Sequence, residues 1–380
     1  MNQIYLDHAA TTPMHPEVIE EMSRLMQDIY GNPSSIHNYG RKAHEQLENF
    51  RETIAASLAV KPHEIIFNSG GTEGDNTAII GTAFSRQEHG KHLITTAIEH
   101  PAVLETMKYL EKEGFEVTYL PVDKKGQLQL ADFQKALRDD TILVSIMYAN
   151  NETGNLLPIK EIGEILKDHP AVFHTDAVQA YGKIPITPYE DHIDLLSVSA
   201  HKINGPKGVG FLYKKDGINI PAYLHGGEQE EKRRAGTENL VGIGGMAKAV
   251  ELLTPEVQAE NREKYREFAD IIFQTLDEQQ VAYHLNGDPE HKLPHVLNLY
   301  FPDVSNDLLL MKLDLKGTAI STGSACTAGN IEPSHVLEAM YGEDALIVDQ
   351  SVRISFGYGN TKEAIKEFAG LLAETVKKSL

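Results

Sequence analysis

The sequence predicts an α/β protein with one large, mostly parallel sheet covered by helices, followed by a smaller α+β region. Three observations predict it. Between residues 64 and 213, short apolar runs alternate with amphipathic stretches, the pattern of parallel strands joined by helical crossovers. At 380 residues the chain exceeds the size at which one hydrophobic core stops growing. Polar clusters directly follow several of the apolar runs, where an open α/β sheet gathers its ligand site.

Each element has its own signal. A helical apolar period over 17–30 is broken by Gly31-Asn-Pro33, which leaves Asn32 on a loop, and a second amphipathic helix is expected over 41–58. The run at 64–67 predicts a strand, and Asn68-Ser-Gly-Gly-Thr-Glu73 a glycine-rich turn into a helix over 72–84. Glycines there, Gly71 included, let the backbone approach an anion, and the free N–H groups of the helix start, at Thr72, point at it. The turn carries neither a GK(S/T) step nor G-x-G-x-x-G, which counts against nucleotide and dinucleotide readings. Strands follow at 92–96, 116–121, 141–148 and 171–175, separated by helices at 102–113, 130–138 and 159–167, and strands at 195–199 and 209–213 close the set.

The charged, glycine-rich stretch 226–239 has no apolar period and reads as an exposed loop. Helices at 241–253 and 255–278 lead to strands at 296–300, 318–321 and 352–355 and a last helix at 362–379. The division expected is an N-terminal segment, 1–15, joining the small domain, a large domain over 16–250, and a small C-terminal domain over 251–380.

A formal charge of −20 argues against a broad nucleic-acid or membrane face, since such surfaces attract clustered lysine and arginine. No stretch is apolar for the length of a spanning helix, and the polar start lacks a signal peptide's pattern, so a cytoplasmic protein is expected. One cysteine rules out an intramolecular disulfide and leaves no cysteine-ligated metal cluster within the chain. His174-x-Asp176 has the residue types of a metal pair, but no further ligands accompany it, and no metal site is expected.

Three residues carry chemistry by position. Lys202, in Ser199-Ala-His-Lys202, falls just past a strand end, where partial removal from water lowers an amine's pKa toward a usable nucleophile. Arg353 interrupts an apolar strand and calls for a planar anionic partner, either a substrate carboxylate or a structural one. Cys326 stands in Ser321-Thr-Gly-Ser-Ala-Cys-Thr327, a run of small and polar residues expected on an exposed, mobile loop rather than in a core.

Together with Tyr5-Leu-Asp-His-Ala-Ala-Thr-Thr-Pro13, Gly31-Asn-Pro-Ser34, Glu99-His100, Asn150-Asn-Glu-Thr-Gly154 and His174-Thr-Asp-Ala-Val-Gln179, these motifs run nearly end to end. In order and spacing the chain resembles the class V aminotransferase family, and within it the cysteine desulfurases of the NifS/IscS type. The resemblance implies the type I fold of pyridoxal-phosphate (PLP) transferases, similar to aspartate aminotransferase, and a homodimer. It implies that Lys202 binds the PLP aldehyde, Asp176 faces the ring nitrogen, Gln179 and Asn151 the phenolic oxygen, and His100 the ring face. The phosphate would take Gly71, Thr72, Ser199, His201 and, from the neighbouring subunit, Thr237. Substrate binding falls to Arg353, Asn32 and Asn151, and catalysis to Lys202, His100 and Cys326.

The activity implied is conversion of L-cysteine to L-alanine, with the sulfur taken by Cys326 as a persulfide and passed to an acceptor protein of iron–sulfur assembly or tRNA thiolation. The short tail after the last helix tilts that expectation toward tRNA thiolation. The alternatives are another class V enzyme, a selenocysteine lyase or an aminotransferase, with Cys326 incidental, and a non-catalytic sulfur relay.

Overall fold

The computed structural model describes residues 3–322, 333–343 and 345–379, so Cys326 lies outside the described residues. Strand β1 (Ile4–Tyr5) precedes helices α1 (Pro16–Asp28) and α2 (Asn38–Ser57). An alternating series follows: β2 (Ile65–Asn68), α3 (Gly71–Arg86), β3 (His92–Thr96), α4 (Pro101–Lys112), β4 (Glu116–Leu120), α5 (Leu130–Ala136), β5 (Thr141–Ser145), α6 (Ile159–Leu166), β6 (Val172–Asp176), β7 (Leu195–Ser199) and β8 (Gly210–Lys214). The rest comprises α7 (Gln229–Lys232), α8 (Leu240–Glu251), α9 (Pro255–Glu278), β9 (His284–Asn286), β10 (Val296–Tyr300), α10 (Asn306–Asp314), β11 (Thr318–Ala319), α11 (His335–Tyr341), β12 (Ser351–Ser355) and α12 (Lys362–Lys377).

Seven strands form one sheet in the order β2-β8-β7-β6-β5-β3-β4. Only β8 runs antiparallel to its neighbours. The sheet is buried on both sides, as crossover helices require, and successive residues of a strand serve opposite faces. Ile65 and Phe67, Val144, Phe173, Leu196 and Phe211 enter one core, which holds α2, α6 and α8 residues. Their neighbours Ile66, Leu143, Val172, Leu195 and Leu212 enter another, closed by α3 and α4. A third core gathers α9, α10 and α12 around the antiparallel sheet β12-β10-β9, and β1, paired in parallel with β11, adds Ile4 to it.

The strand expected over 141–148 ends at Ser145, although Ile146 and Tyr148 still donate toward β6, to His174 O (3.1 Å) and Asp176 O (2.8 Å). The larger departure is at 226–239, which sequence alone makes an exposed loop. Glu230 and Ala235 are buried there, and residues 230–232 hold left-handed backbone angles inside α7. Glu230 accepts from Arg51 Nη1 (2.7 Å), Arg51 Nη2 (2.8 Å) and Phe67 N (3.0 Å), while Arg234 pairs with Glu73 at 2.8 Å. The ion pairs tie the segment to α2 and α3 and the Phe67 N–H ties it to β2, so charge is what buries it.

Candidate active site

The strands converge on a cavity of about 250 Å³ at the carboxyl ends of β6 and β7 and the amino end of α3. Of the residues singled out from sequence, Gly71, Thr72, His100, Asn151, Asp176, Gln179, Ser199, His201, Lys202 and Arg353 all line it. Asn32 and Thr237 do not. Asn32 is exposed, with Oδ1 accepting from Ser34 N at 2.9 Å, and Thr237 is exposed on the 226–239 segment.

Lys202 closes a 3₁₀ turn, Ala200–Lys202, directly after β7. Its ammonium donates to Ala9 O at 2.5 Å and Ala10 O at 2.8 Å, so the N-terminal segment supplies its acceptors. Gln179 Nε2 donates to the same Ala9 carbonyl at 3.0 Å. Asp176 ends β6 with its carboxylate buried and accepts from Val178 N at 2.9 Å. Burial raises its pKa, and His100 and Lys202 pull the other way.

His100 caps α4, with Pro101 at the first helical position, and its Nδ1 accepts from Ala102 N at 3.1 Å. That bond leaves the proton of a neutral ring on Nε2. Burial lowers the His100 pKa, against the pull of Asp176, and favours that neutral form near pH 7. His201 is likewise lowered, to about 4, by burial and then by Lys202 and Lys207, and its Nδ1 lies 3.1 Å from Thr11 Oγ1.

Arg353, on β12, is 3 % exposed. Nη2 donates to Asp7 Oδ1 at 2.8 Å and Nη1 to Asn151 O at 3.0 Å, whereas Nε is buried with no partner. Sequence left open whether this arginine serves a substrate or a structural anion, and Asp7 is the structural one. The unmet Nε and the unmet Oδ1 of Asn151 are polar atoms withdrawn from water beside the cavity.

The cradle at α3 depends on Gly70, whose φ of 140° and ψ of −173° lie in a region essentially reserved for glycine. Its position caps a helix with no side chain, so the first N–H groups of α3 stay open toward the cavity. Thr72 sits exposed at the rim.

Several participants escaped sequence reading. Asp75, one turn into α3, lines the cavity with Oδ1 3.5 Å from His174 Nε2, and burial and Asp176 raise its pKa well above the usual range. His174 is held by Ser145 Oγ at 2.8 Å and Ser197 Oγ at 3.0 Å, and burial lowers its pKa to about 3. Among the described residues no group of three His, Cys, Asp or Glu side chains converges as metal ligands do. Below the cavity Glu99 accepts from Thr96 Oγ1 at 2.6 Å and Met147 N at 3.0 Å, with burial raising its pKa to about 8. Glu99 and His174 stood in sequence motifs without a role in the site, and Asp75 stood in none.

The donor set fits PLP. An open helix start suits its phosphate, a buried carboxylate its pyridine nitrogen, and an amine its aldehyde, while orphaned polar atoms of Asn151 and Arg353 await a bound group.

Comparison with known proteins agrees. The family model described as aminotransferase class-V matches residues 4–368. A putative cysteine desulfurase, IscS 1, of Bacillus subtilis (strain 168) is 54% identical over 378 residues, covering 100% of each chain. Among solved structures, a NifS-like protein superposes with a TM-score of 0.92 at 36% identity, covering 99% of this chain and 100% of its own. SspA in complex with cysteine superposes with a TM-score of 0.82 at 36% identity, covering 93% and 99%. With a half-buried amine and a buried carboxylate and guanidinium set around one cavity and a match along nearly its whole length, the chain belongs to the class-V aminotransferase family of PLP-dependent enzymes.

Proposed function

We propose that the protein is a cysteine desulfurase, converting L-cysteine to L-alanine and passing the sulfur through the thiol of Cys326. The observation that carries this reading is the cavity that sets Lys202, Asp176 and Arg353 around about 250 Å³, room for a cofactor and a small amino acid. The relatives named for this activity and the sole cysteine, in a run of small residues, support it.

Bound PLP supplies the electron sink that lets the substrate Cα lose its proton and weakens the Cβ–S bond. Lys202, Asp176, His100 and the α3 start would hold it. Arg353 binds the substrate carboxylate through the N–H groups that Asp7 and Asn151 O leave unused, Nε–H among them. Lys202 carries the proton from Cα, and the neutral His100 ring, with Nε2–H, is a second proton carrier. Asp176 holds a proton at the ring nitrogen, its burial strengthening that interaction. Cys326, as thiolate, forms a bond to the substrate sulfur as the Cβ–S bond breaks, and the electron pair of that bond stays on carbon and takes a proton. Alanine and a persulfide on Cys326 result.

The large domain over 16–250 carries the cofactor and the small domain over 251–380 carries Arg353 and Cys326, with 1–15 between them. The enzyme works in the cytoplasm as a homodimer in which Thr237, exposed on the single chain, reaches the other subunit's phosphate site. Its persulfide serves an acceptor protein of iron–sulfur assembly or tRNA thiolation. The test is Cys326→Ala with PLP and L-cysteine: the yellow cofactor absorbance is retained and sulfide release is lost. A Cys326→Ala enzyme that turns over L-cysteine at the parent rate and yields a keto acid refutes the assignment in favour of transamination.

A further inference from the structure

A second cavity, of about 290 Å³, lies beside the first. The same two segments separate them: Ala9, Ala10, His201 and Lys202 face one, and His15, Ile203 and Asn204 the other. In a chain with 55 acidic residues against 35 lysines and arginines, no carboxylate lines this second cavity, while five bases do: His15, Lys183, Arg262, Lys264 and His295. Leu252, Leu253 and Val257 add apolar lining.

The protein sets no carboxylate in this lining against the bases, although His15 Nδ1 accepts from Glu17 N at 3.3 Å. His295 is 2 % exposed, and its ring forms no hydrogen bond among the described residues. It lies within electrostatic reach of Lys183, His8 and Lys292. Both ring nitrogens of His8 and the Nζ of Lys292 are buried without partners. No acceptor among the described residues meets Lys183 Nζ, and burial lowers that amine to about 8, as it lowers Lys292 to about 7. Arg262 spends one N–H on Lys183 O at 2.8 Å, which fixes the guanidinium next to that lysine. Lys292, the Asp288 that acts on it, and His8 all lie outside the cavity lining. Setting a buried His295 among half-buried lysines and an arginine without counter-charge costs free energy that apolar side chains of like volume would not, unless an anion completes the site.

We propose that this cavity binds a small organic carboxylate, with its charge against Lys183, Arg262 and His295 and its carbon chain against Leu252, Leu253 and Val257. The volume suits a body of a few carbons. The inference does not depend on the reaction assigned to the first cavity.

Calorimetric titration of the PLP-loaded enzyme with butyrate, butyramide and inorganic phosphate tests it. Butyrate binds saturably and butyramide does not. Lys183→Met and, independently, Arg262→Gln each weaken butyrate binding about tenfold or more, the loss of one charge-assisted contact, whereas Arg353→Lys, in the first cavity, leaves it unchanged. Absence of saturable butyrate binding, binding indifferent to both Lys183→Met and Arg262→Gln, loss in Arg353→Lys, or phosphate bound in preference to butyrate each overturns the proposal.

Discussion

Replacing Glu230 by glutamine tests whether a buried ion pair holds the 226–239 segment onto the sheet. Arg51 is 5 % exposed and Glu230 6 %, and two guanidinium nitrogens meet the carboxylate at 2.7 and 2.8 Å. Glutamine can still accept the Phe67 N–H, but it sets an amide donor against the guanidinium and leaves Arg51 without its main counter-charge. Breaking one side of a buried pair costs roughly 3–5 kcal/mol. Glu48 Oε1 stays 3.2 Å from Arg51 Nε on a half-exposed side chain, and Ile65 O keeps its bond at 2.9 Å, so the lower end of that range, about 3 kcal/mol, is expected. Urea unfolding followed by circular dichroism of Glu230→Gln, Arg51→Met and the double variant gives the coupling. The double variant is expected to be no worse than Glu230→Gln alone, with a coupling of about 2 kcal/mol or more. If the two single losses add to within about 0.5 kcal/mol, the pair is not what anchors the segment and the reasoning fails.

Four further outcomes are expected. Gly70→Ala forces alanine into a glycine-only conformation and sets a Cβ 3.3 Å from Ser199 Oγ, so it costs about 1–3 kcal/mol and weakens PLP retention on dialysis; unchanged retention and stability refute the cradle. The folded-state pKa values of His8, His174 and His201, about 4, 3 and 4, lie below the unfolded value, so their stabilisation is present above pH 6.5 and lost as pH falls toward 3. Each contributes up to about 1.4 kcal/mol per pH unit in that window, and His174→Gln shows a shallower acid loss of urea stability. Glu99 has the opposite sign: raised from 4.5 to about 8, its contribution is full below pH 4.5 and declines as pH rises through 8, so Glu99→Gln flattens the alkaline loss. Asp7→Asn leaves Arg353 buried with a neutral partner, so the variant unfolds more readily, and L-alanine, whose carboxylate restores the charge balance, raises its melting temperature more than the parent's.

How far these features can be read from sequence depends on how local their causes are. Strands at His92–Thr96, Leu195–Ser199 and Val296–Tyr300 match their expected bounds, since each is an apolar run closed by turn residues. The polar clusters after β6 and β7 converge because a parallel sheet aligns its strand ends. Strands β1 and β9, two and three residues long, have too few positions to show a period. Helix α10 reads as an apolar run, Leu308-Leu-Leu-Met, without the spacing that separates helix from strand. Glu230 is the hardest case: its neighbours are charged, and only Arg51, 179 positions away, gives it reason to be buried. The acceptors of Lys202 are backbone carbonyls, which no residue type can announce.

Those carbonyls explain why the N-terminal segment belongs to the site although none of its side chains was expected to act there. Asp7 holds Arg353, Ala9 O serves both Gln179 and Lys202, Thr11 meets His201, and Thr12 bonds His201 O at 2.7 Å and Asn204 N at 2.9 Å. Ala9 N in turn donates to Ser355 Oγ, on β12, at 2.8 Å. One extended segment therefore fixes β12 relative to β6 and β7, and with it the reach from Arg353 to Lys202. In the proposed reaction Arg353 takes the substrate carboxylate and Lys202 the cofactor aldehyde, so the segment sets the distance between those two groups. Small residues at 9 and 10 follow from this: both line the cavity, and a longer side chain on either would occupy the space that such a substrate needs.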